Sequence, residues 1–71
     1  MFWVYILKSM VADRTYVGQT EDFDARFALH QAGQVRSTAP WRPWEVLHTE
    51  CFSTRAEALR REKWYKSRAG R

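Results

Sequence analysis

The chain lacks several features that would assign it to other classes of protein. Its 71 residues include one cysteine, Cys51, so neither an intrachain disulfide nor a cysteine-based metal site can form. A chain with so little cysteine is typical of a reducing compartment, which predicts a cytoplasmic location. The apolar start, Phe2 to Leu7, is closed by Lys8 and is too short for a signal-peptide core or a membrane span. We therefore expect a single domain over residues 1–71, without a membrane partner.

Negative charge is also scarce. Twelve Lys and Arg against eight Asp and Glu give a formal net charge of +4, and nine of the twelve basic residues are arginine. Arginine matches phosphate geometry better than lysine does, and a small basic domain suits a nucleic-acid partner. Charge alone leaves open a basic protein with no anionic ligand. Eleven aromatic residues supply much of the core that so short a chain can build.

The first part of the chain has the pattern of a β-hairpin. Residues 2–7 are apolar on both alternating faces, which predicts a central strand covered on both sides. Ser9 to Asp13 is typical of a loop, and Thr15 to Gly18 of the returning strand. A symmetric loop would place Tyr5 opposite Tyr16, with both phenols on one face of the sheet.

Capping residues mark the first helix. Thr20 or Asp22 can cap a helix over about residues 22–32, and Gly33 can end it. Residues 34–43, which contain both prolines, are expected to form a loop.

The last part of the chain predicts a strand and a second helix. Residues 44–52 form the predicted strand, whose polar side chains suit a sheet edge. The sequence from Thr54 to Glu57 is a capping box for a helix that is predicted to run to Lys66, before a basic tail from Ser67 to Arg71. The order β-β-α-β-α predicts an α+β fold, a small three-stranded antiparallel sheet with two packed helices.

Two short aromatic motifs and three polar residues carry a family resemblance. The motifs are Trp3-Val4-Tyr5 and Tyr16-Val17-Gly18, which stand eleven residues apart, and the polar residues are Arg26, His30 and Glu62. This order resembles the GIY-YIG nuclease superfamily, in particular its small single-domain bacterial members related to the N-terminal domain of the excision-repair nuclease UvrC. Trp3 replaces the glycine of the first family motif, as it does in the small subfamily.

The resemblance implies a DNA endonuclease that depends on Mg²⁺ or Mn²⁺ and works in DNA repair or processing. By this resemblance, Tyr16 is the general base or the positioner of the attacking water, and Tyr5 assists it. Arg26 would contact the scissile phosphate, and His30 would orient a water or shuttle a proton. Glu62 would bind the metal, and Mg²⁺ suits such a site because it keeps several waters and needs few protein carboxylates.

Each of these residues also has a structural explanation. Glu62 can form an ordinary surface ion pair with Lys66, one helical turn later. Arg26 and His30 can lie at the rim of the core, and buried tyrosines are usually core residues with a satisfied hydroxyl. The family resemblance favours the functional assignment.

The loop that follows the first helix mixes arginines with tryptophans, a composition that suits phosphates and unpaired bases. Trp41 is the expected stacking residue, whereas Trp44, which leads into a strand, is expected in the core. Gln19 stands where many family members have lysine or another polar residue, and we assign it no role. The predicted DNA-binding residues are Gly18, Arg36, Trp41 and Arg42.

A second hypothesis is a catalytically weak nucleic-acid-binding module of the same fold. The sequence also leaves open whether the protein is a monomer or a homodimer. No segment resembles a base-reading helix, so we expect a structure-selective or weakly sequence-specific enzyme.

Overall fold

The computed structural model describes residues 1–69 and confirms the predicted α+β fold. A 3₁₀ turn, Ala39–Trp41, lies within the loop between the first helix and the last strand. Of the predicted basic tail, residues 67–69 belong to the last helix, and Gly70 and Arg71 lie outside the described residues. The elements are β1 (Phe2–Ser9), β2 (Thr15–Thr20), α1 (Phe23–Ala32), β3 (Trp44–Phe52) and α2 (Arg55–Ala69).

The sheet is antiparallel with the strand order β2-β1-β3, so β1 is central and β3 is an edge strand, as predicted. The predicted hairpin register is wrong by two residues: Tyr5 pairs with Gly18, and Tyr16 pairs with Leu7. The physical reason is the turn, because β1 continues to Ser9, whose hydroxyl accepts hydrogen bonds from two backbone N–H groups of the loop. A shift of two residues preserves the side-chain alternation, so both phenols still lie on one face.

The two faces of the sheet are covered by different elements. On one face, the first helix and the following loop cover Tyr5, Leu7 and Trp44, and Trp44 lies in the core as predicted. On the other face, α2 packs Ala58 against Val4 and Val17. The helices therefore lie on opposite sides of the sheet.

Side-chain caps define both helices. Asp22, rather than Thr20, caps α1, because its Oδ1 accepts a hydrogen bond from Ala25 N at 3.2 Å. Gly33 ends α1 in the left-handed conformation, with φ of 78°. Thr54 Oγ1 caps α2 by accepting from Glu57 N at 3.2 Å. This helix continues past Lys66 because basic residues in its last turn are favourable at the negative end of the helix dipole. No helix within residues 1–69 has both the length and the apolar character needed to cross a bilayer.

Glu50 connects β3 to α2. Its carboxylate accepts hydrogen bonds from Tyr65 Oη and, at 2.8 Å, from His48 Nε2, and its Oε1 forms an ion pair with Arg61 Nε at 3.0 Å. Burial acts to raise the pKa of Glu50, but the hydrogen bonds from Tyr65 and His48 and the charge of Arg61 outweigh it, so the pKa is lowered. The ionised carboxylate therefore holds the C-terminal helix against the sheet.

Glu50→Gln is expected to destabilise the fold at neutral pH by about 1–3 kcal/mol, because hydrogen bonds to a charged acceptor are lost. A pKa that is lower in the folded state stabilises that state above the unfolded value, and the benefit disappears as the pH falls through the folded pKa. Denaturant unfolding should therefore show a wild-type advantage at pH 7 that shrinks below about pH 4.5, the ordinary value for a glutamate. Glu45→Gln on the same strand, where the side chain is exposed, is the control. A difference that is constant with pH would contradict this role of the charge.

Candidate active site

A buried chain of hydrogen bonds joins β1, α1 and the loop that follows α1. Tyr5 Oη lies 3.0 Å from His30 Nε2, and His30 Nδ1 lies 2.8 Å from Thr38 Oγ1. These three side chains are 1%, 0% and 1% exposed. Polar groups this deep need hydrogen-bond partners, and each of the three provides one for the next.

The hydrogen bonds of Thr38 determine which atom donates and which accepts in each bond of this series. The Thr38 hydroxyl lies 3.3 Å from the Val35 carbonyl, and we assign it as the donor there and its oxygen as the acceptor from His30 Nδ1–H. His30 Nε2 then carries no proton and accepts from the Tyr5 hydroxyl. His30 is thus held as a base directed at a phenol.

The pKa values of both residues fit this arrangement. Burial lowers the pKa of His30, and the nearby charge of Arg26 lowers it further, so the imidazole is neutral at pH 7. Burial raises the pKa of Tyr5 to about 12, and the neighbouring Tyr16 also raises it, whereas Arg26 acts in the opposite direction. Arg26 is therefore the group that favours a negative charge at this phenol.

Tyr16 lies beside the buried pair but is only partly buried. Its ring centroid is 5.0 Å from that of His30 and 6.1 Å from that of Tyr5. Of the two phenols, Tyr16 is therefore the one that solvent reaches. The structure brings Tyr5, Tyr16, Arg26 and His30 together on the α1 face of the sheet.

Gly18 provides the space in which the two phenols lie. A Cβ atom at this position would be 2.6 Å from Tyr5 Oη and 2.9 Å from Tyr16 Cε2, closer than real Cβ contacts. The room that the glycine leaves is thus filled by the tyrosines. A direct contact of Gly18 with DNA stays a prediction, since the visible role of this residue is to admit the Tyr5 hydroxyl.

Glu62 approaches the same group from the other face of the sheet. Its side chain is 14% exposed, and its Oε2 forms the expected ion pair with Lys66 Nζ at 2.9 Å. Its negative charge also acts on Tyr5 and contributes to the raised pKa of the phenol. The helix that carries Glu62 packs on β2, which is an edge strand and has no side chain at Gly18. The α1 face, which carries the phenols, and the α2 face, which carries Glu62, therefore adjoin at the outer edge of β2.

Sequence reasoning missed two residues of this site. Thr38 lies in the loop whose composition suits DNA contact, and no sequence signal predicts its bond to His30, which depends on the folding of the loop. Gln19 was given no role, yet its Oε1 is buried without a hydrogen-bond partner within residues 1–69. This strand position alternates with Gly18 and so faces α2, the helix of Glu62. A buried acceptor without a partner is costly, and such groups call for an explanation.

The predicted DNA-contact residues of the loop differ in exposure and in the side chains that they contact. Arg36 and Arg42 are exposed, and Arg42 lies over Gly33, where a Cβ would be 1.9 Å from its Nη1. Trp41 is half-buried against the core cluster, with the Arg14 guanidinium 4.0 Å from its ring centroid. Stacking of a base on Trp41 would have to displace or join that guanidinium, and this function remains a prediction.

The α+β fold, with two phenols, an arginine and a histidine on one face of the sheet, is consistent with a nuclease-type domain, and the family match below supports that class. The chain matches the family of the GIY-YIG catalytic domain over residues 1–71 and belongs to that family, which confirms the resemblance seen in its sequence.

Its relatives include several small proteins named UPF0213, a name that states no activity. The relative from Staphylococcus haemolyticus is 39% identical over 61 residues, which cover 84% of this chain and 73% of that protein. The relative from Haloquadratum walsbyi is 38% identical over 66 residues, covering 92% and 73%. The relative from Natronomonas pharaonis is 39% identical over 67 residues, covering 92% and 76%. No solved structure matches the chain significantly.

Proposed function

We propose that this protein is a metal-dependent DNA endonuclease that hydrolyses phosphodiester bonds. The observation that carries the proposal is the bond from the Tyr5 hydroxyl to an unprotonated nitrogen of His30, beside the guanidinium of Arg26. A core tyrosine needs any acceptor, but it does not need a neutral imidazole with an arginine beside it. That combination suits acid-base chemistry on an anionic substrate.

Hydrolysis requires that the attacking water lose a proton. Tyr16, which solvent reaches, would hold this water, and Tyr5 would connect the site to His30. When Tyr5 receives the proton that the attacking water loses, it would pass its own hydroxyl proton to His30 Nε2. The imidazole then becomes a cation, and the charge of Arg26 favours its return to the neutral form after each cycle.

Arg26 would bind the scissile phosphate. Negative charge grows on the phosphoryl oxygens and the leaving group in the transition state, and a preorganised guanidinium at this place stabilises it. The same positive charge stabilises any anion that develops on Tyr5. Arg26 thus serves both the phosphate and the proton path.

The family implies a metal ion, and Glu62 could hold it in a site that has few other protein ligands. The ion pair of Glu62 with Lys66 uses Oε2, so Oε1 could serve a cation, and the buried Oε1 of Gln19 faces the same helix. Within residues 1–69, no group of three or more His, Cys, Asp or Glu side chains could enclose a metal. One carboxylate, completed by substrate phosphate and water, matches the preference of Mg²⁺. When bound, such a cation would polarise the phosphate and neutralise the leaving oxygen.

The substrate would be DNA that is recognised by shape or with weak sequence preference. Arg36, Arg42 and the half-buried Trp41 provide contacts for phosphate and base, but no element of the fold is built to read base edges. An exposed, unpaired Cys51 fits a reducing cytoplasm, where DNA repair or processing would be its setting.

Nicking of supercoiled plasmid tests the proposal. Wild-type protein should nick with Mg²⁺ or Mn²⁺ and stop nicking in EDTA, and Glu62→Ala should lose at least about 100-fold of the rate, as expected for a group that stabilises transition-state charge. Equal residual nicking by wild type and Glu62→Ala would identify a contaminant and exclude the proposal. Salt-dependent DNA binding without cleavage in any metal would instead establish the binding module.

A further inference from the structure

The net positive charge of the protein resides in α2. Residues 55–69 contain six of the twelve basic residues and two of the eight acidic residues, so they account for the whole net charge of +4. The remainder of the chain is electrically neutral. A helix with this excess attracts polyanions, but charge by itself does not say which side of the helix binds them.

Helical spacing collects part of this charge around an exposed tryptophan. Positions 60, 61 and 68 each lie three or four residues from position 64 and so share its side of the helix. We call this surface the Trp64 stripe: Arg60, Arg61, Trp64 and Arg68. Glu62 lies about 160° around the helix from Trp64, so the stripe faces away from the candidate active site.

Trp64 is 43% exposed, which is unusual for the largest apolar side chain. The Arg68 Cζ lies 4.3 Å from its ring centroid and the Arg61 Cζ lies 5.1 Å from it. A depression of about 310 Å³ lies beside the ring and is lined by Arg60, Arg61 and Trp64 of the stripe together with Phe52 and Glu57. An aromatic ring, a surface depression and arginine guanidinium groups thus lie together on this side of the helix.

The cations of the stripe are only partly neutralised. Arg61 is paired with Glu50, but Arg60 and Arg68 have no ion-pair partner within residues 1–69. Glu57, one helical turn before Arg60, accepts hydrogen bonds from Ser53 and Thr54 in its capping role, and its charge interacts with that of Arg60 without forming an ion pair. Two guanidinium groups therefore remain available for an external anion.

We propose that the Trp64 stripe binds an unpaired segment of a nucleic-acid strand. A base stacks on Trp64 by displacing or joining the Arg68 guanidinium that lies over the ring, and Arg60 and Arg68 contact the phosphates on either side of that base. An unpaired strand fits better than a duplex because bases within a duplex are stacked on each other and cannot reach a side chain, whereas an unpaired base offers a free face. This surface goes beyond the proposed catalytic site, and it shares with the proposed function only the nature of the ligand.

Binding can be measured without cleavage. The probes are a fluorescein-labelled oligo-dT of about 16 nucleotides and a duplex of equal length, titrated in EDTA with fluorescence anisotropy as the readout. Trp64→Ala should weaken binding of the single strand roughly 5- to 100-fold, as expected for loss of one base stack, and Trp64→Phe should retain most of the affinity. The duplex should lose much less.

The charge contribution is tested with a matched pair of variants. Arg60→Glu and Lys63→Glu make the same change of charge on the same helix, but Lys63 lies about 100° around the helix from Trp64. Arg60→Glu should weaken single-strand binding and flatten its salt dependence more than Lys63→Glu does. Circular dichroism should show the same helix content in all variants.

Two outcomes would overturn the inference. One is unchanged single-strand affinity in Trp64→Ala, and the other is equal weakening of single strand and duplex. Neither outcome affects plasmid nicking that depends on Glu62, so failure of this inference is distinguishable from failure of the proposed nuclease. Conversely, a protein that never cleaves can still show the stripe-dependent binding.

Discussion

Arg26→Ala is expected to lower the rate of plasmid nicking by about 10²–10³-fold, the usual cost of removing one preorganised group that stabilises transition-state charge. The variant should also change the pH dependence. The charge of Arg26 helps to lower the pKa of His30, so its removal lets that pKa rise. If His30 must be neutral to accept the Tyr5 proton, the acid side of the rate profile should move to higher pH.

Rates measured between pH 5 and 9, with substrate in excess, distinguish this role from a structural one. Lys63→Ala removes the same charge from an exposed position and should leave both rate and profile unchanged. Arg26→Lys keeps the positive charge but loses the planar guanidinium that can donate two hydrogen bonds to a phosphate, and we expect an intermediate rate. A slower enzyme whose pH profile matches the wild type would show that Arg26 does not act on His30.

Gly18→Ala is expected to cause a comparable loss of activity by a different route. The added methyl would lie 2.6 Å from the Tyr5 hydroxyl and 2.7 Å from Cζ of the same ring. Tyr5 cannot yield easily, because it is 1% exposed and is packed against Phe23 and His30. We expect destabilisation by about 1–3 kcal/mol, the typical cost of overpacking, and loss of the bond to His30.

Thermal unfolding and nicking should be measured on the same preparations. In a domain of this size, about 1 kcal/mol corresponds to a shift of roughly 4–8 °C in the midpoint. Thr15→Val, on the same strand but exposed, should change neither quantity. Full activity in Gly18→Ala would mean that the Tyr5 hydroxyl can move without consequence, which contradicts its assigned place in the proton path.

Local signals in the sequence predict most of the fold. The caps at Asp22, Gly33 and Thr54 are short-range chemistry, and the doubly apolar pattern of β1 indicates its central position. The hairpin register was missed because it depends on hydrogen bonds inside a loop without a diagnostic turn sequence. In physical terms, periodicity identifies the face of a strand but not its pairing partner.

The candidate site also contains residues that the sequence identifies and residues that only the folded structure shows. The family resemblance identified Tyr5, Tyr16, Arg26 and His30, which the structure brings together, and Glu62, whose charge reaches Tyr5. Thr38 could not be found from the sequence because its contact with His30 requires a loop fold that composition does not encode. The burial of the Gln19 acceptor is likewise a consequence of how α2 packs on the sheet, which the sequence does not show.

The exposed edge of β2 restricts how this protein can assemble. An edge strand offers its free backbone groups to any extended segment that approaches it. A peptide or a second copy that added a fourth strand at β2 would run alongside Gly18 and widen the sheet next to the two phenols. An added strand at β3 would instead lie on the opposite edge of the sheet, two strands away from Gly18.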